Sequence, residues 1–155
     1  MQLFLDCDGV LADFDGEFTR LFGVHPRVYE KDQGAFWDHV ENFNNFYRHL
    51  PLMPDAMDLY EAVKVYRPII LTGVPHGEWA EIQKIKWAEE HFPGVPLVTC
   101  RSKHKNWFCQ PGDVLIDDLK RYRHLWQEKG GVFILHTSAQ DSIAQFQEYE
   151  RYSCR

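Results

Sequence analysis

Short apolar runs alternate with segments of helical periodicity along most of the chain. The runs are too short for helices and do not alternate apolar with polar positions; they span 3–5, 68–72, 96–100, 114–116 and 132–135. Strands that are apolar on both sides belong to parallel sheets covered on both faces. The pattern therefore predicts an α/β fold, a Rossmann-like parallel sheet of about five strands with helices on both faces.

Between the runs, apolar residues recur every three or four positions, which predicts helices. The helices are expected over 14–22, 36–50, 56–66, 79–85, 119–126 and 138–146, with a break at Asn44-Asn45 in the second. Residues 23–35 are predicted to form a loop. Asp55 and Ser138 each precede a helix, and each is predicted to cap the helix that follows it.

Residues 13–54 interrupt the alternation of strands and helices directly after the first strand. The segment carries nine of the chain's aromatic residues, which number 11 Phe, 7 Tyr and 5 Trp in all, and this excess indicates contacts within the segment. We therefore predict a small helical cap at 13–54. The α/β core domain is then formed by 1–12 and 55–155.

Residues with candidate chemistry follow the predicted strands at their carboxyl ends, where open parallel sheets bind ligands. They are, in chain order, Asp6, Asp8, Thr72, Gly73, Lys103, Lys105, Asp117 and Asp118. Four carboxylates at one edge repel one another unless a positive charge neutralises them. A hard divalent cation does this, and Mg²⁺ suits a site that also holds phosphate.

Each of these residues has an ordinary structural interpretation when it is taken alone. A single aspartate such as Asp117 or Asp118 is commonly a cap or turn residue, Thr72 ends a strand, and Lys103 and Lys105 fit a solvated loop. Their joint occurrence, in this order and at these strand ends, favours a site.

The ordered set resembles the haloacid dehalogenase-like (HAD) superfamily of phosphohydrolases. The matching motifs are Asp6-Cys7-Asp8-Gly9-Val10 for the DxDG signature, Thr72 at the end of an apolar strand, Lys105 or Lys103 before the fourth strand, and Asp117-Asp118 after it. The resemblance implies a Rossmann-like core with a cap inserted after the first strand, where 13–54 lies. It also implies phosphatase activity.

Within that superfamily, segments 8–14, 115–118 and 130–136 are similar to the 5′(3′)-deoxyribonucleotidases and their bacterial and phage relatives. This resemblance implies a 5′-nucleotidase-like hydrolase of (deoxy)nucleoside monophosphates. Those nucleotidases typically carry Thr-Ser in the second motif, whereas this chain has Thr72-Gly73. The difference removes a hydroxyl contact to phosphate and leaves a backbone N–H in its place.

The resemblance also implies the roles of the carboxylates. Asp6 is the nucleophile that forms an aspartyl-phosphate, and Asp8 protonates the leaving alcohol and then activates water. Mg²⁺ is held by Asp6, by the Asp8 carbonyl and by Asp118 directly, with Asp117 holding a water on the metal. Gly9 turns the chain after the strand, so that Asp6 and Asp8 both face the site.

Lys105 is predicted to contact the phosphate, because its place 12 residues before Asp117 fits the nucleotidase pattern better than that of Lys103. Lys103 would then flank the site. Thr72 and the Gly73 N–H are expected to hold phosphate oxygens.

Selectivity among phosphomonoesters has to come from what covers the phosphate site, and the aromatic 13–54 segment is the candidate. Helical spacing makes most of its rings the core of the segment itself. Phe18 and Phe46 are nevertheless predicted to stack on a nucleobase.

Charge and composition narrow the class of partner. The chain has 17 basic and 23 acidic residues and a net charge of −6, which argues against a nucleic-acid coat or an anionic-membrane binder. A small phosphomonoester needs only a local positive site.

The four cysteines, Cys7, Cys100, Cys109 and Cys154, form no CxxC pair, so free thiols are expected. The N-terminus lacks a basic region of the signal-peptide type, and a cytoplasmic protein is predicted.

Two alternatives remain open at this stage. The same chemistry fits another small phosphometabolite or a nucleic-acid terminal phosphate. A non-enzymatic binding module on the same scaffold would be expected to lack a catalytic residue, and every motif residue is present. Oligomeric state does not follow from the sequence.

Overall fold

The computed structural model describes residues 1–153, so Cys154 lies outside the described residues. Five parallel strands form one sheet in the order β3-β2-β1-β4-β5. They are β1 (Leu3–Leu5), β2 (Ile69–Gly73), β3 (Leu97–Cys100), β4 (Val114–Asp117) and β5 (Val132–Leu135). The predicted fold class is confirmed, because each apolar run forms a strand and all the pairings are parallel.

Helices connect the strands. The α-helices are α1 (Phe14–Phe22), α2 (Gln33–Asn42), α3 (Ala56–Val63), α4 (Trp79–His91), α5 (Arg123–Glu128) and α6 (Ala139–Ser153). Short 3₁₀ helices span Pro26–Tyr29, Tyr47–His49, Lys64–Tyr66, Ser102–Phe108 and Lys120–Tyr122.

The sheet separates two apolar clusters, because successive residues of a strand point to opposite faces. The larger cluster contains residues of α1 to α4 and α6 together with Leu3, Leu5, Ile70, Val114, Ile116 and Ile134. The smaller cluster contains Phe4, Leu71, Cys109, Leu115, Trp126 and Phe133. Both faces of the sheet are covered, which explains why the strand sequences show no polar alternation.

The 13–54 segment is helical, with α1 and α2 as its main elements. Asp13 begins α1 by accepting a hydrogen bond from the Gly16 N–H (3.0 Å), and Asp32 caps α2 in the same way. The stretch predicted as a loop, 23–35, contains the 3₁₀ helix Pro26–Tyr29 and the first turn of α2. Asn45 has a left-handed backbone (φ 58°) and lies in the predicted break of the second helix.

Phe18 and Phe46 are buried in the larger cluster, with exposed fractions of 0% and 1%. The Phe18 ring packs 4.6 Å from Phe22 and 5.3 Å from Phe36, measured between ring centroids. A ring enclosed in this way has no free face for a base. The prediction that Phe18 and Phe46 stack on a substrate is therefore wrong, because helical spacing identifies an apolar face and not what covers it.

One predicted helix cap acts on a different helix. The Asp55 side chain makes no cap on α3; its Oδ2 atom accepts a hydrogen bond from the Ala139 N–H (2.7 Å) at the start of α6. Asp55 thus occupies the predicted N-cap position of α3, but its side chain caps α6, and local spacing does not reveal a helix that begins 84 residues away in sequence. Ser138 accepts from the Asp141 N–H (3.1 Å), as predicted.

Cys7, Cys100 and Cys109 are free thiols. Burial raises the pKa of Cys100 and Cys109 to about 11, so both stay protonated near neutral pH. Among residues 1–153, the helices are too short or too polar to cross a bilayer.

Candidate active site

The carboxylates of the first and fourth motifs meet because β1 and β4 are neighbours in the middle of the sheet. Asp6 directly follows β1, and its N–H donates to the Ile116 carbonyl (2.9 Å), which extends the strand pairing by one residue. Asp117 ends β4, and Asp118 comes next. The edge that ligands occupy in parallel sheets therefore carries three adjacent carboxyl groups.

Lys105 joins two of these carboxylates. Its Nζ atom donates to Asp6 Oδ1 at 2.7 Å and to Asp117 Oδ2 at 2.8 Å, and all three side chains are buried. Burial lowers the pKa of Lys105, but the two carboxylates raise it by more than burial lowers it. The net pKa therefore lies above its usual value, and the ammonium stays charged. Lys103, on the same 3₁₀ helix, is exposed.

Asp6, Asp117 and Asp118 form a group that could hold a metal ion, with one oxygen of each lying within 4.8 Å of the others. Three carboxylates against the single Lys105 ammonium leave two negative charges uncompensated when all are ionised. Burial and the neighbouring Asp6 carboxylate raise the pKa of Asp118 well above its usual value. The oxygen donor set and the charge deficit both fit a hard divalent cation such as Mg²⁺.

The two aspartates of the fourth motif differ in how their oxygens are used. Asp117 accepts from Lys105 on Oδ2 and from the Leu119 N–H on Oδ1 (2.9 Å). Asp118 Oδ1 is buried and finds no hydrogen-bond partner in the described part of the chain. Asp118 is therefore the carboxylate with an oxygen left for a ligand, which fits its predicted direct role on the metal.

Gly9 lets the chain turn directly after Asp6 and Asp8. Its φ of +84° lies in the left-handed region, and a Cβ atom at this position would meet Asp118 Oδ2 at 2.1 Å. A side chain at position 9 would thus strain the backbone and displace Asp118. This is the physical reason for the glycine in the first motif.

Asp8 pairs with a residue that the sequence analysis missed. Lys84, on α4, is 1% exposed, and its Nζ atom donates to Asp8 Oδ2 at 2.6 Å. Burial raises the pKa of Asp8 and the Lys84 ammonium lowers it, with a net pKa above the usual value. That direction suits a group that has to carry a proton. Lys84 was missed because a lone lysine between Gln83 and Ile85 looks like part of a solvated helix face.

Thr72 and Gly73 end β2 next to these groups. Thr72 is fully buried, and its Oγ1 accepts a hydrogen bond from Lys84 Nζ at 3.0 Å. The Oγ atom of Ser102 lies 2.1 Å from where a Cβ atom at Gly73 would be. The space left by the glycine therefore holds the hydroxyl of Ser102, the first residue of the 3₁₀ helix after β3, to which the sequence analysis gave no role.

The structure thus brings most of the predicted site residues to one edge of the sheet. They are Asp6, Asp8, Thr72, Gly73, Lys105, Asp117 and Asp118. Lys103 lies outside the contacts of this group, and Phe18 and Phe46 lie in the core.

Two solved structures share the architecture at low sequence identity. A hydrolase from Streptococcus pneumoniae TIGR4 aligns with a TM-score of 0.52 and 14% identity over 97% of this chain and 97% of that chain. A HAD family hydrolase from Deinococcus radiodurans R1, with bound phosphate and sodium, aligns with a TM-score of 0.51 and 13% identity over 85% of this chain and 78% of that chain. No protein-family model and no curated protein matches the chain.

The chain shares the fold of these two hydrolases. At these identities the shared property is the architecture of the sheet and its helices. In this chain the carboxylate group lies at the carboxyl ends of β1 and β4, and the pair of Asp8 and Lys84 lies beside it.

Asp118→Asn is expected to raise the free energy of unfolding of the metal-free protein near neutral pH, because asparagine is neutral without the proton that Asp118 has to take up next to Asp6 and Asp117. The pKa of Asp118 is raised on folding. The folded state therefore holds this proton more tightly than the unfolded chain, and stability is lost as pH rises above the ordinary carboxyl pKa. Denaturation in a chelator at about pH 5 and about pH 8 should show this loss in the wild type and a smaller loss in Asp118→Asn.

Asp38→Asn is the matched control, because Asp38 is exposed on α2 and should leave the pH dependence unchanged. Mg²⁺ should stabilise the wild type by mass action and leave Asp118→Asn nearly unaffected. Identical pH dependence in Asp118→Asn and the wild type would contradict the raised pKa of the Asp118 carboxyl group.

Proposed function

We propose that this protein is a Mg²⁺-dependent phosphomonoester hydrolase of the HAD superfamily that forms an aspartyl-phosphate on Asp6. The observation that supports the proposal best is the group of Asp6, Asp117 and Asp118, with the buried Lys105 ammonium bound to Asp6 and Asp117. A cluster of this charge is unfavourable in a folded protein unless a ligand offsets it. Mg²⁺ together with a phosphate ester is a ligand pair of the right charge and donor preference.

The proposed reaction uses two carboxyl groups. Asp6 attacks phosphorus, the bond from phosphorus to the leaving oxygen breaks, and Asp8 gives its proton to that oxygen. Asp8 then takes a proton from water, which attacks the aspartyl-phosphate and releases phosphate and Asp6. Mg²⁺, held by Asp6, Asp118 and the Asp8 carbonyl with Asp117 acting through a water, would offset the phosphoryl charge.

Hydroxyl and amide donors would hold the phosphate oxygens. Thr72 and the Gly73 N–H are the donors at the end of β2. We assign Ser102 as a third, because its Oγ occupies the space where a Thr-Ser motif would place a side chain. The hydroxyl missing from the second motif is then supplied by the next strand's loop. Lys105 adds the positive charge.

For the substrate we propose a (deoxy)nucleoside monophosphate, with 13–54 acting as the cap. Tyr47, from that segment, lies 4.4 Å from Lys84 Nζ, and the ring of Trp79 lies 5.6 Å from Tyr47. Trp79 is half-buried, so this aromatic pair leads from the neighbourhood of Asp8 toward the surface. We assign base stacking to Trp79.

We propose the cytoplasm as the location of the protein, and the free thiols support this proposal because they suit a reducing compartment.

Phosphate release from nucleoside monophosphates, measured with Mg²⁺ and with excess chelator, tests the activity. Asp6→Asn keeps the shape of the side chain but removes the nucleophile, so turnover should vanish while the fold remains. Aluminium fluoride or beryllium fluoride should inhibit the wild type as phosphoryl mimics. Full activity in chelator, or substantial turnover by Asp6→Asn, would refute the covalent metal-dependent mechanism.

Lys105→Ala is expected to lower kcat by roughly 10²–10³-fold, because the ammonium faces developing charge on the phosphoryl group. Lys103→Ala is the matched control from the same 3₁₀ helix, and its exposed side chain should leave kcat within about threefold of the wild type. Steady-state kinetics on both variants decide between the lysines. A large loss of kcat in Lys103→Ala, together with an unchanged kcat in Lys105→Ala, would reverse the assignment.

Trp79→Ala is expected to lower kcat/KM for a nucleoside monophosphate by about tenfold or more, since base stacking contributes roughly 1–3 kcal/mol. The same variant should change kcat/KM for ribose 5-phosphate little. Trp107→Ala serves as control, because Trp107 is 69% exposed and stacks on His104. Equal kcat/KM for the nucleotide and the sugar phosphate in the wild type would instead indicate another small phosphometabolite.

A further inference from the structure

Lys84 is a buried ammonium that the reaction described above does not use. Lysine is almost never fully buried unless it is paired, so the burial itself needs a reason. Its Nζ atom donates hydrogen bonds to Asp8 Oδ2 (2.6 Å) and to Thr72 Oγ1 (3.0 Å). One cation thus holds two groups, one from the turn after β1 and one from β2, that have different assigned roles.

The third neighbour of the ammonium comes from the 13–54 segment. The Tyr47 ring lies 4.4 Å from Lys84 Nζ, within cation–π distance. Tyr47 is itself buried, and its N–H donates to the Gln83 side chain (2.9 Å), the residue before Lys84. The position of the ammonium is therefore fixed from the sheet edge, from α4 and from the inserted segment at once.

The ammonium constrains the proton of Thr72. An ammonium donates hydrogen bonds and accepts none, so Thr72 Oγ1 has to act as the acceptor toward Lys84. The Thr72 hydroxyl also lies 3.5 Å from the Gly73 carbonyl, at the outer limit of hydrogen bonding. Its proton is consequently left for a stronger acceptor, such as a phosphate oxygen.

The ammonium also distinguishes the two oxygens of Asp8. Oδ2 is held by Lys84, whereas Oδ1 is buried without a hydrogen-bond partner among residues 1–153. A buried, unpaired carboxyl oxygen is unfavourable unless a ligand meets it. Oδ1 is therefore the oxygen presented to a leaving group or to water.

We propose that Lys84 is a positioning residue: it turns Asp8 so that Oδ1 exchanges the proton with the leaving oxygen, and it makes Thr72 a donor to phosphate. Through Tyr47 it ties both functions to the 13–54 segment. The inference rests on the proposed function, since it presupposes that Asp8 acts as general acid and base.

The leaving group of the substrate separates this role from a purely structural one. A nucleoside or alkyl alcohol is a poor leaving group that needs a proton, whereas 4-nitrophenolate leaves without one. Loss of Asp8 positioning should therefore slow alkyl esters far more than 4-nitrophenyl phosphate. A merely structural defect would slow both substrates by the same factor.

The experiment measures kcat/KM for a nucleoside monophosphate and for 4-nitrophenyl phosphate in Lys84→Met, which keeps the length of the side chain and removes the charge. This ratio reports formation of the aspartyl-phosphate, whereas hydrolysis of the aspartyl-phosphate also uses Asp8 and is the same for both substrates. We expect kcat/KM to fall by roughly 10²-fold or more on the nucleotide and by less than about tenfold on 4-nitrophenyl phosphate. Lys86→Met is the matched control, because Lys86 is exposed on the same helix and should leave both rates unchanged.

Asp8→Asn should show the same dependence on the leaving group, and the double variant should be no slower than Asp8→Asn alone. Thermal unfolding checks the fold of each variant. If Lys84→Met does not fold, Lys84→Gln retains a donor at reduced length and should show the same preference between substrates at smaller amplitude.

The outcomes separate the two proposals. Equal losses on both substrates, or additive losses in the double variant, overturn the positioning role while the phosphatase stands. A wild type that releases phosphate from neither substrate overturns the proposed function, and the role of Lys84 with it.

Discussion

Mutual repulsion among buried carboxylates is the constraint on which the rest of this molecule depends. Asp6, Asp117 and Asp118 share one edge of the sheet within 4.8 Å, and Asp8, in the turn after β1, is paired with Lys84 on α4. Such a group persists where cations or bound protons offset its negative charge. Lys105, on the 3₁₀ helix Ser102–Phe108, offsets part of the first group, and Lys84, on α4, offsets Asp8.

The packed parallel sheet offsets the unfavourable free energy of this concentration of charge. Its central strands, β1 and β4, pair in register from Leu3 with Val114 to Leu5 with Ile116, so the polar residues that follow them emerge side by side. Apolar clusters on both faces hold the strands in place. The packing of the core thus outweighs the destabilising effect of the charged residues at the carboxyl edge of the sheet. Such a balance is common where a fold supports a reaction.

Local pattern was sufficient for the strands and for the acidic positions, because a short apolar run ending in aspartate has few other interpretations. It failed where a residue's partner is distant in sequence. Lys84 lies 76 residues from Asp8, and Asp55 lies 84 residues from the helix that it caps. It failed also for Phe18, where the periodicity of a helix face is the same whether a ligand or a neighbouring helix covers it.

The two lysines reach the site from opposite faces of the sheet, and this separates two halves of the chemistry. Lys105 belongs to the 3₁₀ helix that leads to Cys109 and the smaller cluster, whereas Lys84 lies on α4 among residues of the larger cluster. The 13–54 segment packs in the larger cluster and contacts Lys84 through Tyr47. A movement of that segment would therefore act first on Asp8 and Thr72, and leave Asp6 and Asp117 held by Lys105.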